Sequence, residues 1–481
     1  AISQGLSSDG GLFVPENLPK LSEEKIMSLC DMSYAERAYE IFRLFLTDFT
    51  DDEIKHCVNG AYNDKNFATD NIAEISHLIP GTYILELWHG PTCAFKDMAL
   101  QILPHLMRVS VGKTAQGQEI VILVATSGDT GKAALEGFRD AAHTKILVFY
   151  PVDGVSPMQK LQMTTQEGEN VAVCAIHGNF DDAQSAVKSI FTNDEIKAEL
   201  AKKNMMFSSA NSINWGRLVP QIVYYFSAYA DLCKMGQLQV GEPMNVVVPT
   251  GNFGNILAGY YAKHMGLPIQ TMVCASNTNN VLTDFLKTGT YDRNRDFYAT
   301  TSPSMDILIS SNLERLLYHM SGESDAAVRG WMTQLAENGK YTVEPEVMAK
   351  IQNEFAAGYC DEAAVADTIH KTYTDQNYLC DTHTAVAVKV YRDYVAQTGD
   401  DLPTVIDSTA SPYKFSKSVL TAVLEGNTPQ LDEFDMVEEL HRITGAAVPA
   451  PLAALKDKAV RFTQVCDREN MSQMVFQLLN L

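Results

Sequence analysis

The 481-residue sequence predicts an α/β fold: mainly parallel sheet, with a helical N-terminal subdomain ahead of it and mostly helical additions towards the C-terminus. Three observations point there. Apolar, β-rich runs recur at 83–88, 119–125, 145–150, 170–176, 245–249 and 270–275. Helix-like stretches separate them at 96–109, 130–142, 181–191, 213–235 and 253–265. The runs are apolar at nearly every position, which is the pattern of parallel strands covered on both faces. Several of them end in loops rich in Gly, Asn, Ser and Thr, and the carboxyl ends of parallel strands are where such folds hold ligands.

In chain order, Asp9-Gly10-Gly11-Leu12-Phe13-Val14-Pro15 is a Gly-Gly turn entering a short extended piece. Ser22 is a helix cap, with Glu23 and Glu24 in the first turn of a helix through Leu29. Ser33 starts a longer helix through Leu46, and Thr50-Asp51-Asp52-Glu53 opens a third. The α/β alternation follows, with Pro104 a kink in the helix 96–109. Beyond Val281 helices are expected at 306–320, 325–337 and 384–396, a strand at 403–407, a helix from about Pro412, and a last helix at 468–479. There is no internal repeat and no low-complexity linker, so the domains are expected to be interwoven.

Composition removes several classes of function. Hydrophobic content of 46% and charged content of 20% fit a globular protein. A formal net charge of -22 argues against nucleic acid and anionic membrane surfaces as partners. It also requires that any anionic ligand meet a locally positive pocket. The longest apolar run, 120–125, is far too short to span a bilayer. No signal-like segment is read at the start, and because the first residue is Ala1 the natural N-terminus is expected to lie outside this sequence. Nine scattered cysteines without a Cys-x-x-Cys pair suit a reducing, cytoplasmic compartment. Eleven histidines show no ligand spacing, so no metal is expected. P-loop, Gly-x-Gly-x-x-Gly and Gly-x-Ser-x-Gly motifs are absent.

Four strand-end loops and one helix start carry the candidate chemistry. His89-Gly90-Pro91-Thr92-Cys93-Ala94-Phe95-Lys96-Asp97 places Lys96 at a strand-to-helix junction. There the positive end of a helix dipole disfavours the charged amine. A readily deprotonated, rigidly held lysine is what a Schiff base with an aldehyde cofactor requires. The plain alternative is a surface lysine at a helix start, with Cys93 a packed thiol and His89 a turn residue. Thr126-Ser127-Gly128-Asp129-Thr130-Gly131 is a cradle for a carboxylate or phosphate, or simply a well-capped turn. Pro249-Thr250-Gly251-Asn252-Phe253-Gly254-Asn255 is a cup for one phosphate group: the glycines allow close approach and the asparagines add side-chain donors. Asp407-Ser408-Thr409-Ala410-Ser411-Pro412-Tyr413-Lys414 offers hydroxyls that are either turn chemistry or a neutral partner for a ring nitrogen. Asn211-Ser212-Ile213-Asn214-Trp215-Gly216-Arg217 opens a long helix. Asn211 or Ser212 would be the cap, and Arg217 is either a surface residue or the partner of a bound anion.

Together these segments, in this order, resemble the threonine synthase family of pyridoxal-phosphate enzymes of fold type II. The resemblance extends to Ser8-Asp9-Gly10-Gly11-Leu12-Phe13-Val14-Pro15 and runs along nearly the whole chain. It implies two mainly parallel α/β domains: a large cofactor-binding one from 81–115 and 211–481, and a smaller, closing one from 116–210, after a helical subdomain at 1–80. It implies that Lys96 carries pyridoxal 5'-phosphate as a Schiff base, that Gly251, Asn252, Phe253, Gly254 and Asn255 hold the cofactor phosphate, and that Thr409 faces the pyridine nitrogen. Ser127, Gly128, Asp129 and Thr130 would take the substrate carboxylate. Thr92, Asp97, Asn211, Ser212, Asn214 and Arg217 would line the region of the substrate phosphate. Lys96, Arg217 and Lys414 are the cations expected in the pocket. The implied reaction turns O-phospho-L-homoserine and water into L-threonine and phosphate, on a monomer or homodimer. Two departures stand out: Ser411 replaces a histidine common in the family, and the family's N-terminal Ser-Thr-Arg element is not in this sequence. Rival readings are a phospholyase that releases 2-oxobutanoate, a dehydratase or β-replacement enzyme, and a non-catalytic binding protein on the same fold. An intact Lys96 argues against the last.

Overall fold

The computed structural model describes residues 1–114 and 117–479. Its strands are β1 (Glu74–Ile79), β2 (Thr82–Glu86), β3 (Glu119–Ala125), β4 (Thr144–Pro151), β5 (Val171–His177), β6 (Met205–Ser208), β7 (Met244–Pro249), β8 (Ile269–Ser276), β9 (Thr290–Asp292), β10 (Lys340–Thr342), β11 (Phe355–Tyr359), β12 (Thr404–Ser408) and β13 (Val465–Asp467). One sheet runs β1-β2-β12-β7-β8-β11 and is parallel except for the β1–β2 hairpin. A second, wholly parallel sheet runs β13-β5-β4-β3-β6. β9 and β10 pair with each other.

Both sheets are covered on both faces. Val246 and Val248 of β7 lie in one apolar core and Val247 in another. Ile122 and Val124 of β3 are separated in the same way from Val121 and Leu123. Alternate side chains therefore enter different cores, which is why these strands read as unbroken apolar runs. The helix Gly254–His264 lies on one face of the first sheet, and Thr382–Thr398 lies on the other.

The N-terminal helices Glu23–Leu29, Tyr34–Phe45 and Asp51–Ala61 start at Ser22, Ser33 and Thr50; the last two close capping boxes with Glu36 and Glu53. Their apolar faces do not form a core of their own. Ile41, Phe42 and Val58 share one with the buried helix Trp215–Lys234, and Arg37 reaches that helix through Asp231 (2.7 Å).

The structure departs from the sequence reading at two domain divisions and in two helices. β1 pairs with β2 across the division expected at 80/81, and β13 joins the second sheet although 211–481 was assigned to the large domain. The division expected at 115/116 lies outside the described residues. The helix 96–109 is two helices, Asp97–Leu100 and Leu103–Thr114, with Pro104 in the first turn of the second, where its missing N–H costs nothing. Within 306–320 only Leu313–Met320 is α-helical. Asp306 instead accepts from Asn277 (2.7 Å), Asn279 (3.0 Å) and the Thr300 hydroxyl (2.7 Å), and such side-chain bonds compete with helix formation. Among the described residues no helix is long and apolar enough to cross a membrane, and no cluster of His, Cys, Asp or Glu suits a metal ion.

The C-terminal helix Met471–Leu479 packs Met471, Val475 and Leu479 against Val121, Leu123 and Phe149 of the second sheet. Met471→Ala is expected to cost about 2–5 kcal/mol, the range for deleting a wholly buried side chain of this size. Denaturant titration checks this; an unmoved midpoint would mean that the helix does not complete that core.

Candidate active site

Loops after β2, β12, β7, β3 and β6 converge on one cavity, open at its mouth. Lys96, Ser127, Thr130, Asn211, Ser212, Arg217, Gly251, Asn252, Phe253, Gly254, Asn255 and Thr409 all line it. They come from both sheets, so the cavity lies in the crevice at the carboxyl ends of the strands.

Lys96 is placed by backbone pairing. The Phe95 N–H donates to the Thr409 carbonyl (2.8 Å) and the Ser411 N–H to that of Cys93 (3.0 Å), with Ala94 and Ala410 bridged between them. The loops after β2 and β12 are thereby zipped together, fixing Lys96 against Thr409. Among the described residues the Lys96 amine has no hydrogen-bond or ion-pair partner; it lies 5.0 Å from the Phe95 ring centre. Burial lowers its pKa to about 8; Asp129 opposes the shift, and Arg217 and Lys414 reinforce it. The sequence argument from a helix dipole is corrected here: the helix after Lys96 is the single turn Asp97–Leu100, and desolvation is the main cause.

The loop after β7 is a close-fitting cup. Phe253 adopts a left-handed conformation (φ 63°), and the helix Gly254–His264 begins without a side-chain cap, leaving its first N–H groups for a ligand. A Cβ on Gly251 would come within 2.8 Å of the Ser304 carbonyl oxygen. Asn252 Oδ1 is buried without a partner among the described residues. The side chain of Asn255, expected to be a donor to a ligand, is occupied elsewhere. Its Oδ1 accepts from the Tyr224 (2.5 Å) and Tyr225 (2.6 Å) hydroxyls, and its Nδ2 donates to Asp407 Oδ2 (3.0 Å). Only its main chain serves the cup.

In the loop after β3, Thr126 Oγ1 accepts from the Gly128 (2.9 Å) and Gly131 (2.8 Å) N–H groups, turning Ser127 and Thr130 to the cavity. Gly128 has φ 126°, and a Cβ there would strike the Gln159 side chain at 2.5 Å. Asp129 does not line the cavity. It pairs with Lys414 (2.8 Å) and accepts from Gln159 (2.9 Å). Its burial favours the neutral acid, but Lys414 and then Lys96 and His383 overcome that and hold it below the usual carboxylate range.

Four further residues expected at a ligand lie behind the cavity wall. Lys414 is fully buried, donating to the Thr92 carbonyl (2.9 Å) as well as pairing with Asp129, so it is no free cation. Asp97 accepts from the Thr92 N–H (2.8 Å) and hydroxyl (2.7 Å), stapling the turn that presents Lys96. Asn214, not Asn211 or Ser212, caps the helix Trp215–Lys234. At Thr92, Asp97 and Asn214 a short polar side chain is used up on groups close in the chain, a competition that spacing alone does not resolve. Arg217 does reach the cavity. It is 2% exposed, Nη1 donates to the Ala210 carbonyl (2.6 Å), and Nε has no partner among the described residues. Burial lowers its pKa to about 10.

Sequence reasoning missed the segment 304–307, which was assigned in part to a helix, and His383 in the first turn of Thr382–Thr398. It also missed Phe180 and Gln184 from the second sheet's helix Phe180–Thr192, and Asn312, which donates to the Ser212 hydroxyl (2.9 Å) and the Asn252 carbonyl (3.0 Å). The available signal was Asp381, a good cap two residues before His383.

Residues 74–353 match the family model described as pyridoxal-phosphate dependent enzyme, which sets the class of the protein. Residues 1–62 match the threonine synthase N terminus and 384–475 the threonine synthase C-terminal model. The threonine synthase of Pseudomonas aeruginosa is 38% identical over 458 residues, covering 94% of this chain and 93% of that one. The chain belongs to the threonine synthase family. Human threonine synthase-like 1 is 42% identical over 433 residues, 88% of this chain; the matched part spans 57% of that relative. The crystal structure of PLP-bound threonine synthase from Brucella melitensis superposes with a TM-score of 0.86 at 37% identity, covering 99% of this chain and 95% of that one. The fold is therefore that of fold-type II pyridoxal-phosphate enzymes, and pyridoxal phosphate is the cofactor.

The cavity fits that group. An unpaired, desolvated amine suits its aldehyde, an uncapped helix start with close-approaching glycines suits its phosphate, and a neutral hydroxyl at Thr409 suits its ring nitrogen. Lys96→Ala is expected to abolish the visible absorption of the bound cofactor; a variant that kept the band and turned over would remove Lys96 from this role. Asp407 supplies a second prediction. Burial pushes its carboxyl up to about 7, against the hydrogen bonds of Tyr225 and Asn255. The unfolded chain releases that proton near ~3.9, so the charge costs stability increasingly as pH rises from about 4 to about 7. Asp407→Asn removes the titration, and its stability relative to the unsubstituted protein is expected to improve between about pH 5 and about pH 8. Denaturant midpoints at both pH values read the difference, and a constant difference would refute the raised carboxyl.

Proposed function

We propose that the protein converts O-phospho-L-homoserine and water to L-threonine and phosphate. The observation that carries the reading is Arg217, a buried guanidinium with donors to spare beside the lysine. Burying a cation is costly unless an anion joins it, so this one calls for a ligand phosphate distinct from the cofactor's. Enzymes that eliminate only a hydroxyl need no such second anion site.

Bound at Lys96, pyridoxal phosphate supplies an electron sink for charge developing at the substrate's Cα. Gly251–Asn255 would hold the cofactor phosphate through main-chain N–H groups, and the Thr409 hydroxyl would offer the ring nitrogen a partner that adds no negative charge. Ser127 and Thr130 orient the substrate carboxylate. Once released by the substrate amine, Lys96 Nζ would take the proton from Cα, hand it on, and only then take one from Cβ; a pKa of about 8 keeps a useful fraction neutral near physiological pH. Arg217, with Asn211 and Ser212, holds the γ-phosphate and stabilises the charge that grows as its C–O bond breaks. Lys96 then gives the proton taken from Cβ to Cγ, which becomes the methyl group; water adds its hydroxyl at Cβ, its remaining proton leaves with the phosphate, and a proton returns to Cα.

A phospholyase releasing 2-oxobutanoate would use the same residues up to phosphate loss, and the relatives named threonine synthase-like keep that reading in view. Incubation with O-phospho-L-homoserine, with phosphate, threonine and 2-oxobutanoate assayed separately, decides between them. Equal phosphate and threonine are expected. Phosphate with oxo acid and no threonine would replace the synthase by the lyase, and no phosphate release would refute both.

A further inference from the structure

His383 belongs to none of the loops that announce the site, yet it lines the cavity and is only 2% exposed. Its Nδ1 lies 2.8 Å from Asp381 Oδ2. Asp381 is wholly buried: Oδ2 also accepts the His383 N–H (2.9 Å), and Oδ1 accepts the Thr384 N–H (3.0 Å) and its hydroxyl. A carboxylate held by several donors acts here only as an acceptor, so the imidazole proton sits on Nδ1 and Nε2 presents a lone pair. That lone pair accepts the Ser304 N–H at 3.2 Å.

Ser304 is where three parts of the site meet. Its carbonyl oxygen fills the space a Cβ on Gly251 would need, 2.8 Å away, and its hydroxyl donates to Asp129 Oδ2 at 3.3 Å. The first contact belongs to the cup after β7, the second to the cradle after β3. We propose that His383, with its tautomer set by Asp381, is a positioning residue that seats Ser304 against the phosphate cup. The role requires an acceptor at Nε2. A protonated imidazole would oppose N–H to N–H and release the segment. The charged or titratable groups facing the ring are Asp381 on its own element, Asp306 from the segment 302–307, and Asp129 from the second sheet.

The inference deepens the proposed reading by naming what shapes the cup, and cofactor retention tests it without reference to substrate. The rate at which diluted holoenzyme loses its visible cofactor band is measured for the unsubstituted protein, His383→Ala and His383→Gln under one set of conditions. The Ala variant is expected to lose cofactor about 10-fold faster, the effect of one buried hydrogen bond. Gln offers a neutral acceptor and is expected to restore most of the retention. Ala retaining cofactor like the unsubstituted protein, or Gln failing as badly as Ala, would each overturn the proposal. Unfolding midpoints separate a local change from general destabilisation. A protein that forms no threonine but follows this pattern would lose the proposed reaction and keep the inference.

Discussion

The site depends on keeping one amine dry. A lysine ammonium is strongly solvated, and its pKa falls only when surrounding protein replaces water without supplying a full counter-charge. Lys96 meets that condition at the crevice between two sheets: its amine faces a cavity walled by both, and the carboxylate that acts on it most, Asp129, is already paired with Lys414. Backbone pairing between the loops after β2 and β12 supplies the rigidity, and the Asp97–Thr92 bonds hold the turn that delivers the residue.

Charge is then distributed with unusual economy for a protein of net charge -22. The described cavity wall carries Lys96 and Arg217, while Lys414 contributes only through its field because Asp129 occupies it. A locally positive pocket in an acidic protein concentrates anions where they react while the rest of the surface repels them. Asp407, two residues before Thr409, could have placed a negative charge near the cofactor ring. It is turned instead into the network of Tyr225 and Asn255, where its charge is disfavoured and its hydrogen bonds brace the cup from behind.

Much of this was legible from residues alone because the signals were local. Parallel strands buried on both faces must be apolar throughout, so the principal strands declared themselves, as did the caps Ser22, Ser33 and Thr50. Strands of three residues such as β13, or a hairpin strand with mixed polarity such as β1, carry too little pattern and are set by their pairing partners. Side chains such as Thr92, Asp97 and Asn214 satisfy two descriptions equally well in sequence, ligand contact or backbone staple. The choice depends on which unsatisfied N–H or carbonyl lies within reach after folding.

By itself the sequence determined the sheet-forming runs, the loops at their carboxyl ends and the family. All of these rest on neighbours in the chain or on the order of motifs. Tertiary structure alone decided which polar groups face the cavity. It turned Asn255 and Lys414 away, left Arg217 with donors to spare, and brought in Ser304 and His383 from segments with no motif of their own. The reason is physical: whether a buried donor serves a ligand or the fold depends on partners hundreds of residues away, and those partners meet only when the two sheets close on one crevice.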